Sequence, residues 1–324
     1  MSSIRRLAIA IILTLFALSL SPAVAIAEGQ KAVLITGASS GLGREMAEMM
    51  AAQGHFVYAG ARKQADIDAL NAIDNIQAVK LDVTDQAQID AAVKTINEAG
   101  RGLYGLINNA GVAVLGPLIE VDEEDFAFQI DVNVTGVYRV TKAFAPMVME
   151  SKGRICTVSS IAGVLASEMF GPYSMSKHSM EAFGDSLQAE LSRFGVHVCL
   201  IEPGTYRSEI GNNMVDRMKR RQQDHTDTMF KEEYAARIKF LTEDLAKSGD
   251  PREVAEATMH AMFDPNPKHR YMVVPNQEQA DWTIRQQIRE MVQFNMGQQY
   301  SYSREQLITM LDEVMAEQTG AAAP

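Results

Sequence analysis

"KAVLITGASSGLGREMAEMMAAQGHFVYAGAR", residues 31–62, decides the fold. The apolar run 31–36 predicts a strand, the glycines at 37, 41 and 43 a tight turn, and the apolar spacing of about 42–53 a helix. Gly54 stands where a helix-ending glycine belongs, and 55–60 reads as a second strand. The stretch is one βαβ unit.

The pattern continues outward. "IQAVKLDVT" (76–84) carries a strand ending at Asp82, 85–99 a helix, and "LYGLINNAG" (103–111) a strand. Residues 122–150 have helical apolar spacing, "GRICTVSS" (153–160) is a strand, 173–193 a helix, "VHVCLIEPG" (196–204) a strand, and "HRYMVVP" (269–275) a late strand. Continuous rather than alternating apolar strands, separated by helices, imply a parallel sheet covered on both faces. The expected architecture is α/β: a single doubly wound parallel-sheet Rossmann domain over 28–275. An N-terminal hydrophobic leader (1–27) precedes it and a helical C-terminal extension (276–324) follows. The charged stretch 207–250 predicts one or two helices over the mouth of the sheet.

Composition narrows the function. The 324 residues carry a formal charge of −11, and the one basic cluster, "RMKRR" at 217–221, lacks interleaved aromatics, which argues against a nucleic-acid surface. Cys156 and Cys199 sit inside apolar strands and read as small buried hydrophobes. The six histidines show no metal-ligand spacing, so no metal is expected. Arg5 and Arg6 precede an apolar run and then "AVAIA" before Glu28, the layout of an export signal cleaved after Ala27 or of an uncleaved membrane anchor. The chain is therefore expected to be membrane-associated or exported.

In "GPYSMSKHS" (171–179), Tyr173 and Lys177 lie one helical turn apart, so a phenol and an ammonium share one side. The glycine turn has the spacing G-x-x-x-G-x-G rather than G-x-G-x-x-G. The physics is shared: absent Cβ atoms and free N–H groups at a helix N-terminus suit a pyrophosphate.

Together these motifs resemble the short-chain dehydrogenase/reductases of the classical type, over about residues 31–210. "TGASSGLG" (36–43) is similar to that family's cofactor loop, "NNAG" (108–111) to its adenine-side strand end, and Asn133 in "NVTG" to its active-site asparagine. Ser160 precedes Tyr173 by the family's 13 residues, "YSMSK" matches Y-x-x-x-K, and "PGTYRS" (203–208) resembles P-G-x-x-x-T with Ser208 in place of threonine. "VYAGAR", "IEPG" and the long helical segment after it resemble members acting on steroids, retinoids or other apolar alcohols, though small polar substrates stay open.

The resemblance implies a catalytic set of Asn133, Ser160, Tyr173 and Lys177. Tyr173 would be the acid/base, its pKa lowered by Lys177 and the oxidised cofactor; Ser160 would bind the substrate oxygen, and Asn133 would hold a relay water. Cofactor contacts would come from Gly37, Ser39, Ser40, Gly41, Leu42, Gly43, Arg62, Asp82, Val83, Asn109, Ala110, Gly111, Tyr173, Lys177, Pro203, Gly204, Tyr206 and Ser208. Arg62 and Lys63 stand where NAD-selective enzymes place an acid, which favours NADP(H) over NAD(H). Met214, Met218, Met229, Phe230, Tyr234 and Phe240 either line an apolar pocket or pack ordinary helices. The family also implies a homodimer or homotetramer. A non-catalytic nucleotide-binding protein of the same fold is the rival reading, and the intact four-residue set opposes it.

Overall fold

Seven parallel strands form one sheet in the order β3-β2-β1-β4-β5-β6-β7: β1 (Ala32–Ile35), β2 (Phe56–Ala61), β3 (Ile76–Lys80), β4 (Gly105–Asn108), β5 (Arg154–Val158), β6 (His197–Pro203) and β7 (Arg270–Val273). The structure is a computed structural model that describes residues 29–319 except 222, 224, 246 and 247. The chain builds outward from β1 to β3, then crosses to β4 on the other flank of β1. At that reversal the connections leave in opposite directions, so a crevice opens beyond the carboxyl ends of β1 and β4.

Helices α1 (Gly41–Ala52), α2 (Gln64–Asn71), α3 (Gln86–Glu98), α4 (Glu123–Ile130), α5 (Val137–Glu150) and α6 (Gly171–Leu191) link the first six strands. Strand periodicity sorts the core. Val33 and Ile35 join Met46 and Met50 of α1 on one face, whereas Leu34 joins Ile89 of α3 and Phe144 of α5 on the other. Burial of each such side chain contributes about 1.5–3 kcal/mol before entropy is subtracted. Cys156 and Cys199, paired in register across β5 and β6, are fully buried free thiols with sulfurs 2.8 Å apart.

The segment expected to cover the sheet's mouth contains α7 (Ile210–Arg220), α8 (Lys231–Lys239) and a π-helical turn, Phe240–Asp244. Their apolar faces, with Met214, Met218, Tyr234 and Leu241, make a third core cluster. Two helices escaped the sequence reading. One is α2; the other, α9 (Pro251–Phe263), carries plain signals, since Asp250 accepts from the Arg252 amide and Pro251 opens the helix. Beyond β7 lie α10 (Gln277–Asn295) and α11 (Arg304–Thr319). The first turns of α10 are docked: Gln279 and Thr283 are buried, and Gln279 Oε1 accepts from the Thr205 amide at 2.8 Å.

Arg270 pins the edge strand to the body, donating to Glu202 at 2.9 Å, Asp185 at 2.6 Å and also to Glu181. Burial and the neighbouring Glu181 still push the Glu202 carboxyl up to about 7. The expectations for residues 1–27 lie outside the described residues. Among the described helices none is long and apolar enough to cross a membrane.

Candidate active site

Thr36 ties β1 to β4 at the crevice. Its Oγ1 accepts from the amides of Asn109 and Ala110, both at 3.0 Å, while Asn109 Nδ2 donates to the carbonyls of Thr36 (2.9 Å) and Gly37 (3.0 Å). The glycine turn must therefore run against the "NNAG" loop with no room for side chains. Gly37 has φ +66, and a Cβ on Gly43 would stand 2.4 Å from both Gly37 O and Asn109 Nδ2. Ser40, at the N-cap of α1, makes no side-chain bond to the helix, so the first-turn amides keep their capacity for an anion. This cradle fits a dinucleotide pyrophosphate.

A cleft of about 280 Å³ runs from this turn toward α6. Every residue assigned to the cofactor from the sequence lines it: the turn (Gly37, Ser39, Ser40, Gly41, Leu42, Gly43), Arg62, Asp82, Val83, Asn109, Ala110, Gly111, Pro203, Gly204, Tyr206 and Ser208, with Tyr173 and Lys177. Two of these differ in detail from the expectation. The Tyr206 phenol turns away to donate to Glu253 at 2.7 Å. Arg62 Nη1 leans on Asp82 at 3.7 Å, while Asp82 Oδ1 already accepts from Thr84.

A second cavity of about 700 Å³ lies under α7, α8 and α10. The two spaces share Ser160 and Tyr173, whose hydroxyls mark their junction. Ser160, two residues beyond β5, donates to Pro203 O at 3.3 Å and accepts from the Ala162 amide at 3.0 Å. Lys177 Nζ, 5.6 Å from the Tyr173 ring centre, donates to Val158 O at 2.8 Å. Asn133 lines neither cavity. It lies in the π-helical turn Asp131–Gly136, its Oδ1 accepting from Val112 N at 2.8 Å and its Nδ2 donating to Val112 O and Ser176 Oγ. Both amide protons are thus engaged within the protein.

Without a nucleotide, the electrostatics of the site run against ionisation. The Tyr173 phenol lies above its ordinary 10, because burial outweighs the hydrogen bond with Ser160. Burial likewise lowers Lys177 to about 8, against the pull of Glu181. The adjacent lysine therefore does not by itself make a phenolate; positive charge from a bound oxidised cofactor has to supply the remainder.

Of the suggested apolar lining, Met214 and Phe240 face the larger cavity, while Met218, Phe230 and Tyr234 pack in the cluster beneath α7 and α8 and Met229 is 82% exposed. Sequence reasoning missed Thr36, and also Gln129, which is fully buried and braces the same Val112 loop from α4. It also missed Arg237, Gln279 and Trp282 in the wall of the larger cavity. Only Gln279 and Trp282 had a visible marker, the helical spacing after Pro275.

A parallel sheet with a glycine-cradled crevice, and a serine, tyrosine and lysine at its mouth, defines a nicotinamide-nucleotide oxidoreductase. The short chain dehydrogenase family matches residues 31–219, and the chain belongs to it. Retinol dehydrogenase 7 of Rattus norvegicus is 34% identical over 255 residues, covering 74% of this chain and 80% of that protein. An NADPH-dependent 3-dehydrocapnine reductase of Ornithobacterium rhinotracheale is 36% identical over 252 residues, covering 75% and 87%. Among solved structures, a short chain dehydrogenase/reductase from Burkholderia phymatum in complex with NAD superposes with a TM-score of 0.71 at 25% identity, covering 84% of this chain and 98% of that one.

The lysine shift has a testable sign. Its folded pKa of about 8 lies below the ordinary 10.5, so the folded chain resists the proton. The cost is full below pH 8 and gone above 10.5. After allowing for the lost bond to Val158, Lys177→Met should stabilise the nucleotide-free protein by about 2 kcal/mol at pH 7. Urea unfolding should show that gain shrinking as pH rises from 8 toward 10.5; a gain independent of pH would remove the assigned cause.

Proposed function

We propose that the chain is an NADP(H)-dependent enzyme that interconverts an apolar secondary alcohol and its ketone. The observation that carries this reading is the position of Ser160 and Tyr173 at the meeting point of the nucleotide cleft and the larger, mostly apolar cavity. A nucleotide-binding protein without activity has no use for two hydroxyls at that junction. The similarity to a retinol dehydrogenase supports the apolar alcohol.

The bound nicotinamide nucleotide supplies or takes the hydride. In reduction Tyr173, neutral in its buried position, holds the proton that the carbonyl oxygen receives, and Ser160 donates a hydrogen bond to that oxygen as negative charge grows on it. Lys177, anchored on Val158 O, keeps further N–H groups for the nucleotide ribose and holds cationic charge beside the phenol. Asn133 positions the Val112 loop through its side chain, which leaves Oδ1's second lone pair or its backbone carbonyl for the relay water.

Support for NADP(H) comes from the cationic end of β2. Arg62 is exposed enough to swing from Asp82 to a 2′-phosphate, and Lys63 follows it. NAD(H) is the alternative.

Tyr173→Phe should retain nucleotide binding while losing at least about two decades of kcat. Steady-state turnover and nucleotide fluorescence read the two effects; half the activity remaining would remove Tyr173 from the chemistry. Arg62→Ala should lower the NADP(H)-over-NAD(H) ratio of kcat/KM by about 10- to 100-fold, and an unchanged ratio would place the phosphate contact elsewhere. A homodimer or homotetramer through the helical stretches of about 122–150 and 173–193 is part of the same proposal, supported by the exposure of Tyr138 and Met175. Light scattering on residues 28–324 at micromolar concentration should show at least two chains, and a monomer would overturn it.

A further inference from the structure

The larger cavity is walled by Ala113, Leu165, Phe170, Met214, Phe240 and Trp282 among others, and contains no Asp or Glu among its described lining residues. One charged side chain lines it: Arg237, on the last turn of α8. In a chain of charge −11 this is a local reversal of sign. Arg217, Arg221 and Arg270 each hold carboxylates, with contacts of 2.6, 3.2 and 2.6 Å to Asp125, Asp125 and Asp185. Arg237 is half-buried and has no carboxylate partner among the described residues; its one described partner is the face of Phe170, 5.6 Å from the guanidinium carbon.

A cation facing apolar walls loses hydration without gaining a counter-charge. Phe170 is a cation–π partner of modest strength, and the planar fork of the guanidinium remains available to two oxygens of an anion. The reacting end is near. The Phe170 ring stands 6.5 Å from the Tyr173 ring, so the two legs, 6.5 and 5.6 Å, cap the ring-to-guanidinium separation at about 12 Å. At ~1.2 Å of reach per bond, about ten bonds of an extended chain are enough to span that ring-to-guanidinium distance.

We propose that Arg237 is an anion-recognition residue, and that the substrate is an apolar alcohol or ketone carrying an oxyanionic group, a carboxylate or sulfonate, at the end remote from the reacting carbon. The inference rests on the oxidoreductase reading above and names its substrate class. The anion pairs with the guanidinium while the apolar body fills the space between Phe170, Met214 and Trp282, which fixes how deep the carbonyl enters. A neutral molecule of the same length lacks that stop.

The experiment uses the purified enzyme with NADPH and a set of medium-chain oxo acids, their methyl esters, and oxo sulfonates of the same length. Wild type should favour the acid over its ester by at least about tenfold in kcat/KM, mainly through KM. Arg237→Gln should abolish that ratio, Arg237→Lys should keep part of it, and Arg237→Glu should turn it toward the ester. Whether carboxylate or sulfonate is preferred identifies the oxyanion. Equal use of acid and ester by wild type, or a preference that survives Arg237→Gln, would overturn the proposal while leaving the oxidoreductase reading intact. Turnover of no ketone at all would count against that reading instead. Titration calorimetry of the same acid and ester into the NADPH-loaded protein then decides the anion site without turnover: tighter binding of the acid that is lost in Arg237→Gln supports it, and equal binding refutes it.

Discussion

The hydroxyl of Thr36 accepts two amides from the loop after β4, and Asn109 answers by donating to the backbone on either side of Gly37. These bonds join the two strands at which the sheet changes direction, and they do so at the place where the chain must also turn into α1. The consequence is a backbone-lined groove without Cβ atoms in which helix amides face outward. Everything the cofactor cleft offers, from the turn to Ser208 after β6, is arranged around that groove.

The catalytic groups are positioned by a different means. Ser160 is held just beyond β5 by Pro203 O and the Ala162 amide, and Lys177 reaches back to Val158 O, the last residue of that strand. Helix α6 is thereby fixed against the strand end whose serine it serves. Burial that makes this geometry rigid also works against charge, raising the phenol and lowering the ammonium. The unliganded site is consequently built to hold a proton on Tyr173, and the nucleotide's own charge becomes part of the electrostatic balance of the oxidation direction.

The larger cavity shows how elements outside the nucleotide fold take part. Its walls come from the loop after β4, from α7 and α8, and from the first turns of α10, where Gln279 clasps the Thr205 amide. The start of the C-terminal extension is therefore continuous with the substrate side, whereas α11 presents Leu311, Val314 and Met315 outward.

Much of this was legible in the sequence. Strand and helix alternation is encoded locally by apolar periodicity and by residues such as Gly37 and Gly54, so the doubly wound sheet, its order of elements and the residues that line the cleft follow from one-dimensional pattern. The proposed catalytic set was readable because its spacing, Ser160 to Tyr173 to Lys177, is itself a sequence distance. Three things were not. The phenol's pKa depends on how much water surrounds Tyr173, a quantity summed over atoms from several elements, and in the chain without a nucleotide burial raises it. Asn133 was read as the holder of a water, and nothing in the sequence showed that its side chain also ties down a loop 21 residues away. Arg237 looked like one more charge on an exposed helix, since nothing in its neighbours reveals that α8 turns this side chain toward Phe170, where no carboxylate among the described residues pairs with it. Local pattern determined which elements form and which residues can carry the chemistry; only the tertiary structure decided which charges are desolvated or left unpaired, because solvation and Coulomb energy depend on distances in space and not along the chain.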